Sequence, residues 1–239
     1  NQTFGKIDYL NFVETDWNQL IQDSSSRLLI ADYSALLKEF YEPILSAKLT
    51  DHIASKTRGL GALQKKLIWI NMLQSAQDKW PKELKMTFGE AGGFGRNAAV
   101  FLFNKENWAQ EPFNGHALTA NSINIHFEIS IDLLSDRVLS DFHLHYEPNP
   151  YQPKKKYENV QGYDQYEDLR EKRKEHFHEL IKGMGEDEVY SLRNGSNSIL
   201  HIRIARNETF EEVVDELGRV MGRVAALVDE TLNHTYVIR

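Results

Sequence analysis

Two stretches of strict alternation between apolar and polar residues lie close together in the middle of the chain. From Ile123 to Asp132 the odd positions are apolar, and from Asp141 to Glu147 the even positions are apolar. A period of two places successive side chains on opposite faces of a β-strand. The pattern therefore predicts an antiparallel hairpin with one apolar face and one wetted polar face.

The rest of the chain predicts helices before this hairpin and both kinds of element around it. Apolar residues at steps of three or four predict helices near residues 34–41, 63–77, 164–182 and 209–231. We expect Ser34 to cap the first helix, Pro43 to kink or restart it, and Asn207 or Thr209 to cap the last. Shorter apolar runs predict strands at 84–88, 98–103, 189–192 and 198–205, the last two forming a hairpin around 194–195.

The order of these elements indicates the fold class. Helices come first, then four strands, a helix, a hairpin and a long helix, which is not the βαβ alternation of a parallel sheet. We therefore predict an α+β fold, with an antiparallel sheet covered on one face by helices and a helical N-terminal layer. Residues 1–239 are expected to form one domain, and the alternative is a helical subdomain at 1–80.

Composition narrows the classes of function. The chain has no cysteine, which excludes thiolate catalysis and cysteine-ligated metal sites. Its net charge of −7 opposes nonspecific binding to nucleic acid. The longest apolar runs are about six residues, too short to cross a bilayer. We expect a cytoplasmic protein with no membrane partner, because no signal peptide precedes the first predicted element.

The central hairpin suggests one candidate site. If residues 135–136 form its loop, Glu128 lies opposite His143 and His126 lies opposite His145, while every apolar residue meets an apolar residue. A slip by one residue would expose half of the core, so this register is favoured. Opposed Cβ atoms are about 5 Å apart, and the four polar side chains are thus expected to share one patch.

A later strand extends this patch. His201 and Arg203 alternate with apolar residues and would point to the same side if their strand joins the sheet. Imidazoles and a carboxylate together are what zinc, iron or nickel require, and a neutral histidine beside a carboxylate can act as an acid–base group. The alternatives are a ligand- or partner-binding surface and an ordinary wet sheet face. The default expectation is no cofactor, and a transition metal is the alternative.

A lysine run suggests a second candidate surface. Lys154, Lys155 and Lys156, with tyrosines on either side, could contact a nucleic-acid backbone and stack a base. Acidic residues follow and interleave with further basic ones in the helix beyond. The alternative interpretation is therefore a solvated surface whose charges pair with one another.

The C-terminal half has a recognisable layout. From His126 to Leu232 the order is hairpin, charged helix, short hairpin and long amphipathic helix. The stretch from Phe177 to Ile204, with Glu188-Val189-Tyr190 and the apolar run that begins at Ile199, resembles an uncharacterised bacterial domain found beside restriction and defence nucleases. The resemblance covers under half of the chain, and it implies a role in nucleic-acid handling or phage defence without an activity of its own.

These observations lead to two expectations about function. The first is a non-catalytic binding or regulatory module in bacterial defence or nucleic-acid handling, with a protein or nucleic acid as partner, because no complete catalytic motif is present. The alternative is a metal-dependent or acid–base hydrolase that uses the His/Glu patch on the open sheet face.

Overall fold

The computed structural model describes residues 22–88, 98–108, 125–133, 141–146, 163–186, 188–193, 198–204 and 208–237. Its helices are α1 (Ser24–Leu45), α2 (Ile53–Thr57), α3 (Ala62–Ser75), α4 (Tyr163–Gly183) and α5 (Phe210–Asn233), with single 3₁₀ turns at Gln77–Lys79 and Glu106–Trp108. Its strands are β1 (Lys85–Phe88), β2 (Ala98–Asn104), β3 (Ile125–Asp132), β4 (Asp141–Tyr146), β5 (Tyr190–Leu192) and β6 (Ser198–Ile202).

The six strands form one sheet in the order β1-β2-β3-β4-β6-β5, and every neighbouring pair is antiparallel. Helices α1 to α3 precede the sheet in the chain, as the pattern predicts. The α+β class is therefore confirmed. Within the described ranges, no helix combines the length and the apolar character that crossing a bilayer requires.

The apolar face of the sheet and the long helix α5 contribute to the same hydrophobic cluster. Phe127 and Leu144, from the two central strands, are fully buried, as are Leu217 and Val220 of α5. Phe177 of α4 belongs to this cluster too. Burial of large aliphatic and aromatic side chains stabilises a fold by about 1.5–3 kcal/mol for each side chain. This shared core holds the central strands, and hence the candidate site on their other face, in a rigid arrangement.

Helix α5 begins with a reciprocal capping box. The Thr209 hydroxyl accepts a hydrogen bond from the Glu212 backbone N–H at 3.3 Å, and the Glu212 carboxylate accepts one from the Thr209 backbone N–H at 3.1 Å. Two backbone donors that a helix start leaves without partners are thus satisfied. Of the two capping residues that the sequence offered, the structure selects Thr209.

Helix α1 begins earlier than predicted. Its N-cap is Asp23, whose carboxylate accepts a hydrogen bond from the Ser26 backbone N–H at 2.6 Å, so the prediction that Ser34 caps the helix is wrong. The helix also does not restart at Pro43, one of the two outcomes predicted there, because it continues to Leu45. Pro43 lies in the last turn, where its missing N–H removes only one helical hydrogen bond.

Two tryptophans connect α5 to the sheet. The Trp80 indole donates a hydrogen bond to the Val214 carbonyl of α5 at 3.1 Å, and its ring meets Phe103 of β2 edge-on at 5.0 Å. Trp108 is fully buried, and its indole donates to the Asp229 carboxylate of α5 at 2.7 Å. Both indole N–H groups therefore have acceptors, which removes the cost of burying them without partners.

Helix α4 contacts strand β6 through a histidine whose protonation opposes folding. His178 Nε2 lies 3.0 Å from the Ile199 carbonyl, and burial is the main cause that lowers the pKa of His178. The pKa of His178 in the folded protein is below its value of about 6.5 in the unfolded chain. The contribution of neutral His178 to the free energy of unfolding is therefore fully present above about pH 6.5, and it is lost as the pH falls towards the folded pKa. We expect wild type to lose more stability than His178→Gln between pH 7.5 and pH 5.5.

Urea unfolding at both pH values measures this difference. Glutamine keeps an N–H donor for the Ile199 carbonyl but does not titrate, so it isolates the protonation effect. An equal loss of stability in the two proteins would show that His178 does not carry the effect.

Candidate functional site

The structure confirms the predicted register of the central hairpin. Strands β3 and β4 are antiparallel neighbours, with His126 opposite His145 and Glu128 opposite His143. The apolar pairs follow the same register, since Phe127 lies opposite Leu144. The alternation of the two strands thus places three histidines and one carboxylate on the face of the sheet that lies away from its apolar core.

Glu128 lies at the centre of this group. Its Oε1 atom is 3.5 Å from His143 Nε2, and its Oε2 atom is 3.8 Å from His145 Nε2. The side chain of Glu128 is only 14% exposed, and those of the two histidines are similarly buried. Each carboxylate oxygen therefore faces a different histidine of the neighbouring strand.

The three imidazole rings are in contact with one another. The His126 and His145 rings are stacked, with centroids 4.8 Å apart and planes inclined by 19°. The His143 and His145 rings are 4.4 Å apart and tilted by 37°. His145 is thus the central ring, with one histidine on each side of it.

Three of these residues form a group that could hold a metal ion. One potential ligand atom from each of His126, Glu128 and His145 lies within 4.8 Å of the other two. Two imidazole nitrogens and a carboxylate oxygen are borderline ligands of the kind that zinc, iron and nickel bind. Of the six patch residues predicted from the sequence, these three therefore form the candidate metal-binding group.

The face that carries these residues is buried, so the expectation of an open sheet face is wrong. His126 is 3% exposed, His143 is 8% exposed, and Ser130 on the same face is fully buried. Alternating polar residues usually indicate a wetted face, but polar side chains can be buried when they interact with one another. The contacts of Glu128 with two histidines are of this kind, and alternation alone cannot distinguish the two cases.

Glu128 favours its ionised form in this setting. Burial raises the pKa of its carboxyl, but the hydrogen bond from His143 and the charge of the surrounding histidines lower it by more. The net direction is a pKa below the ordinary value. A carboxylate that is already deprotonated is ready to bind a cation, because metal ligands must lose their protons first.

The other predicted site residues lie further away or outside the described residues. His201 of β6 lies directly opposite His143, so the polar row continues across the sheet. Arg203 follows the end of β6, is exposed, and donates its backbone N–H to the Val189 carbonyl at 2.8 Å. The nucleic-acid candidates Lys154, Lys155 and Lys156 lie outside the described residues.

The sequence did not predict which residues of the patch form the candidate metal-binding group. Glu128 and His143 are opposite each other, yet His143 is not a member of the three-residue group. Only side-chain rotamers decide which histidine nitrogens converge, and rotamers depend on packing that a single sequence does not display. The register alone predicts which residues share the patch, but not which of them form the candidate metal-binding group.

Comparisons with family models, with curated proteins and with solved structures give no match to this chain. The layout resemblance to a defence-associated bacterial domain therefore stays a prediction.

Proposed function

We propose that this domain is a binding module for one divalent transition-metal ion, held by His126, Glu128 and His145. The observation that carries the proposal is the proximity of their three potential ligand atoms, which lie within 4.8 Å of one another on two adjacent strands. Strands that are fixed by a shared core make a more precise scaffold for such a site than loops do.

The chemistry of the ligands supports a transition metal over magnesium or calcium. Magnesium and calcium prefer all-oxygen sites, whereas zinc, iron and nickel accept imidazole nitrogen. Around zinc, bonds of about 2.0–2.1 Å bring ligand atoms to roughly 3.3 Å from one another. The observed separations, all within 4.8 Å, have to shorten by at most about 1.5 Å, which side-chain rotation on fixed strands can provide.

Metal binding requires the His126 and His145 rings to tilt. An imidazole nitrogen binds a metal through a lone pair in the plane of its ring. The two rings are now nearly parallel, so their lone pairs run side by side instead of meeting at one point. Rotation about the side-chain torsions opens the stack and directs both nitrogens at the ion beside Glu128.

The buried environment also favours an ion at this place. An ionised carboxylate in a region of low dielectric constant is costly unless a positive charge is near it. The histidines lower this cost in the metal-free protein, and a divalent ion at the same place lowers it further through its larger charge.

The test is a titration of untagged, chelator-treated protein with Zn²⁺ by isothermal calorimetry, together with elemental analysis. We expect one ion per chain, and we expect His145→Ala to weaken the affinity by at least about 100-fold because a ligand is lost, a larger effect than the loss of an outer-shell partner. The matched control is His52→Ala, since His52 lies outside the site, with its Nδ1 atom 3.7 Å from the Glu208 carboxylate. Wild-type protein that binds no ion, or His145→Ala with unchanged affinity, would contradict the proposal.

A hydrolytic role is the second candidate, and the number of ligands favours it. Catalytic zinc sites use three protein ligands and leave a fourth position for water, whereas structural sites use four. Metal-dependent hydrolysis of p-nitrophenyl acetate or bis-p-nitrophenyl phosphate that His145→Ala abolishes would replace the binding role with an enzymatic one.

The wider biological setting rests on predictions from the sequence alone. A role in bacterial defence or nucleic-acid handling, a macromolecular partner and a cytoplasmic location all stay predictions. A metal-binding module is compatible with each of them, because a bound ion can order a domain that recognises something else.

A further inference from the structure

Glu128 contacts two histidines of the neighbouring strand through different oxygens. Oε1 is 3.5 Å from His143 Nε2, while Oε2 is 3.8 Å from His145 Nε2. His145 belongs to the three-residue metal group, and His143 does not. The two oxygens therefore face residues with different relations to the metal.

His143 is placed to hold the carboxylate and not the ion. It lies directly opposite Glu128 in the register, whereas His126 and His145 form the next pair on the same face of the sheet. His143 is also nearly buried, at 8% exposure, and its other strand neighbour is His201. A residue that contacts a metal ligand without reaching the metal belongs to the outer shell that orients such ligands.

We infer that His143 is a positioning residue: its Nε2–H donates to Glu128 Oε1 and leaves Oε2 as the single oxygen that binds the ion. This inference rests on the proposed metal-binding function. With one oxygen and two nitrogens, the protein supplies three of the four ligands of a tetrahedral site. Zinc and cobalt accept such a site, whereas calcium and magnesium require more oxygen ligands.

The donation joins His143 Nε2 to Glu128 Oε1, which is the shorter of the two contacts that this carboxylate makes with His143 and His145. The distance of 3.5 Å is long for a hydrogen bond. Contacts of this kind often shorten when the bound species arrives, and an ion that draws Oε2 towards His126 and His145 would orient Oε1 towards His143.

The test uses Co²⁺, which replaces zinc and reports its coordination number through its visible absorption. Wild type is expected to show the intense bands of four-coordinate cobalt. His143→Ala frees Oε1, so we expect Co²⁺ affinity to fall about 10–100-fold and the bands to weaken as coordination expands. His143→Gln keeps an N–H donor and is expected to restore both the affinity and the spectrum.

Three other outcomes would contradict the inference, each for a different reason. If His143→Ala keeps wild-type affinity and spectrum, His143 does not position Glu128, and the metal site itself still stands. If His143→Ala and His143→Gln both lose binding as completely as His145→Ala while their far-UV circular dichroism stays native, His143 is itself a ligand. If wild type binds no Co²⁺, the proposed function fails and this inference fails with it.

Discussion

Replacing Gly218 by alanine is expected to lower the free energy of unfolding by about 2–4 kcal/mol, because the new methyl group collides with a buried tryptophan. Gly218 lies in α5 against Trp80, which is almost fully buried. A β-carbon at position 218 would lie 2.9 Å from Trp80 Nε1 and closer still to Cδ1. The ring has to move, and its hydrogen bond to the Val214 carbonyl and its contact with Phe103 are then weakened or lost.

Gly222, one turn further along α5, provides the matched control. A β-carbon there would be 3.4 Å from Pro81 Cγ, which is ordinary van der Waals contact. Gly222→Ala should therefore be neutral or stabilise the protein by up to about 1 kcal/mol through helix propensity. Urea unfolding of both variants measures the contrast. Equal free energies of unfolding for the two variants would mean that the Trp80 ring can move without a loss of stability, which would contradict the packing argument.

Zinc is expected to raise the unfolding temperature of the wild-type protein by about 5–10 °C. A ligand that binds only the folded state, at a free concentration 100 times its dissociation constant, adds about 2.7 kcal/mol to the free energy of unfolding. For a protein of this size, each kcal/mol corresponds to about 2–4 °C. The unfolded chain still offers histidines, and any zinc that they bind reduces the shift.

The controls for this measurement separate specific binding from general effects of the salt. His145→Ala should show no shift with zinc, and wild type should show none with magnesium, since two of the three ligands are imidazole nitrogens. His52→Ala should behave as wild type, because it leaves the site intact. Differential scanning fluorimetry or calorimetry is sufficient. A zinc shift that persists in His145→Ala would place the ion at some other part of the chain.

The register of the central hairpin was predictable because two independent requirements agree on it. The apolar faces of β3 and β4 have to meet, and a slip by one residue would turn every side chain to the opposite face. Consequently, Glu128 opposite His143 and His126 opposite His145 follow from the alternation together with the two-residue loop assumed at 135–136. For the cap of α5 the sequence left two candidates, Asn207 and Thr209, and the structure selects Thr209 through its capping box.

The predictions about α1 departed from the structure because the local sequence is compatible with more than one helix boundary. Ser34 is a good N-cap residue, but Asp23 offers an equivalent oxygen eleven positions earlier, and the residues between them tolerate a helix. Pro43 usually interrupts a helix, but in a last turn it costs little. In both cases the local sequence allows more than one position for the start or break of the helix, and only the structure distinguishes them.

The sequence by itself determined the fold class, the pairing of the two central strands and the gathering of three histidines with Glu128, because all of these depend on periodicity. Only the tertiary structure decided that the polar face is buried and that His126, Glu128 and His145, without His143, converge. Burial and side-chain rotamers depend on contacts between segments that are distant in the sequence and meet only when the chain folds. Periodicity, in contrast, is a property of residues that are close together in the sequence.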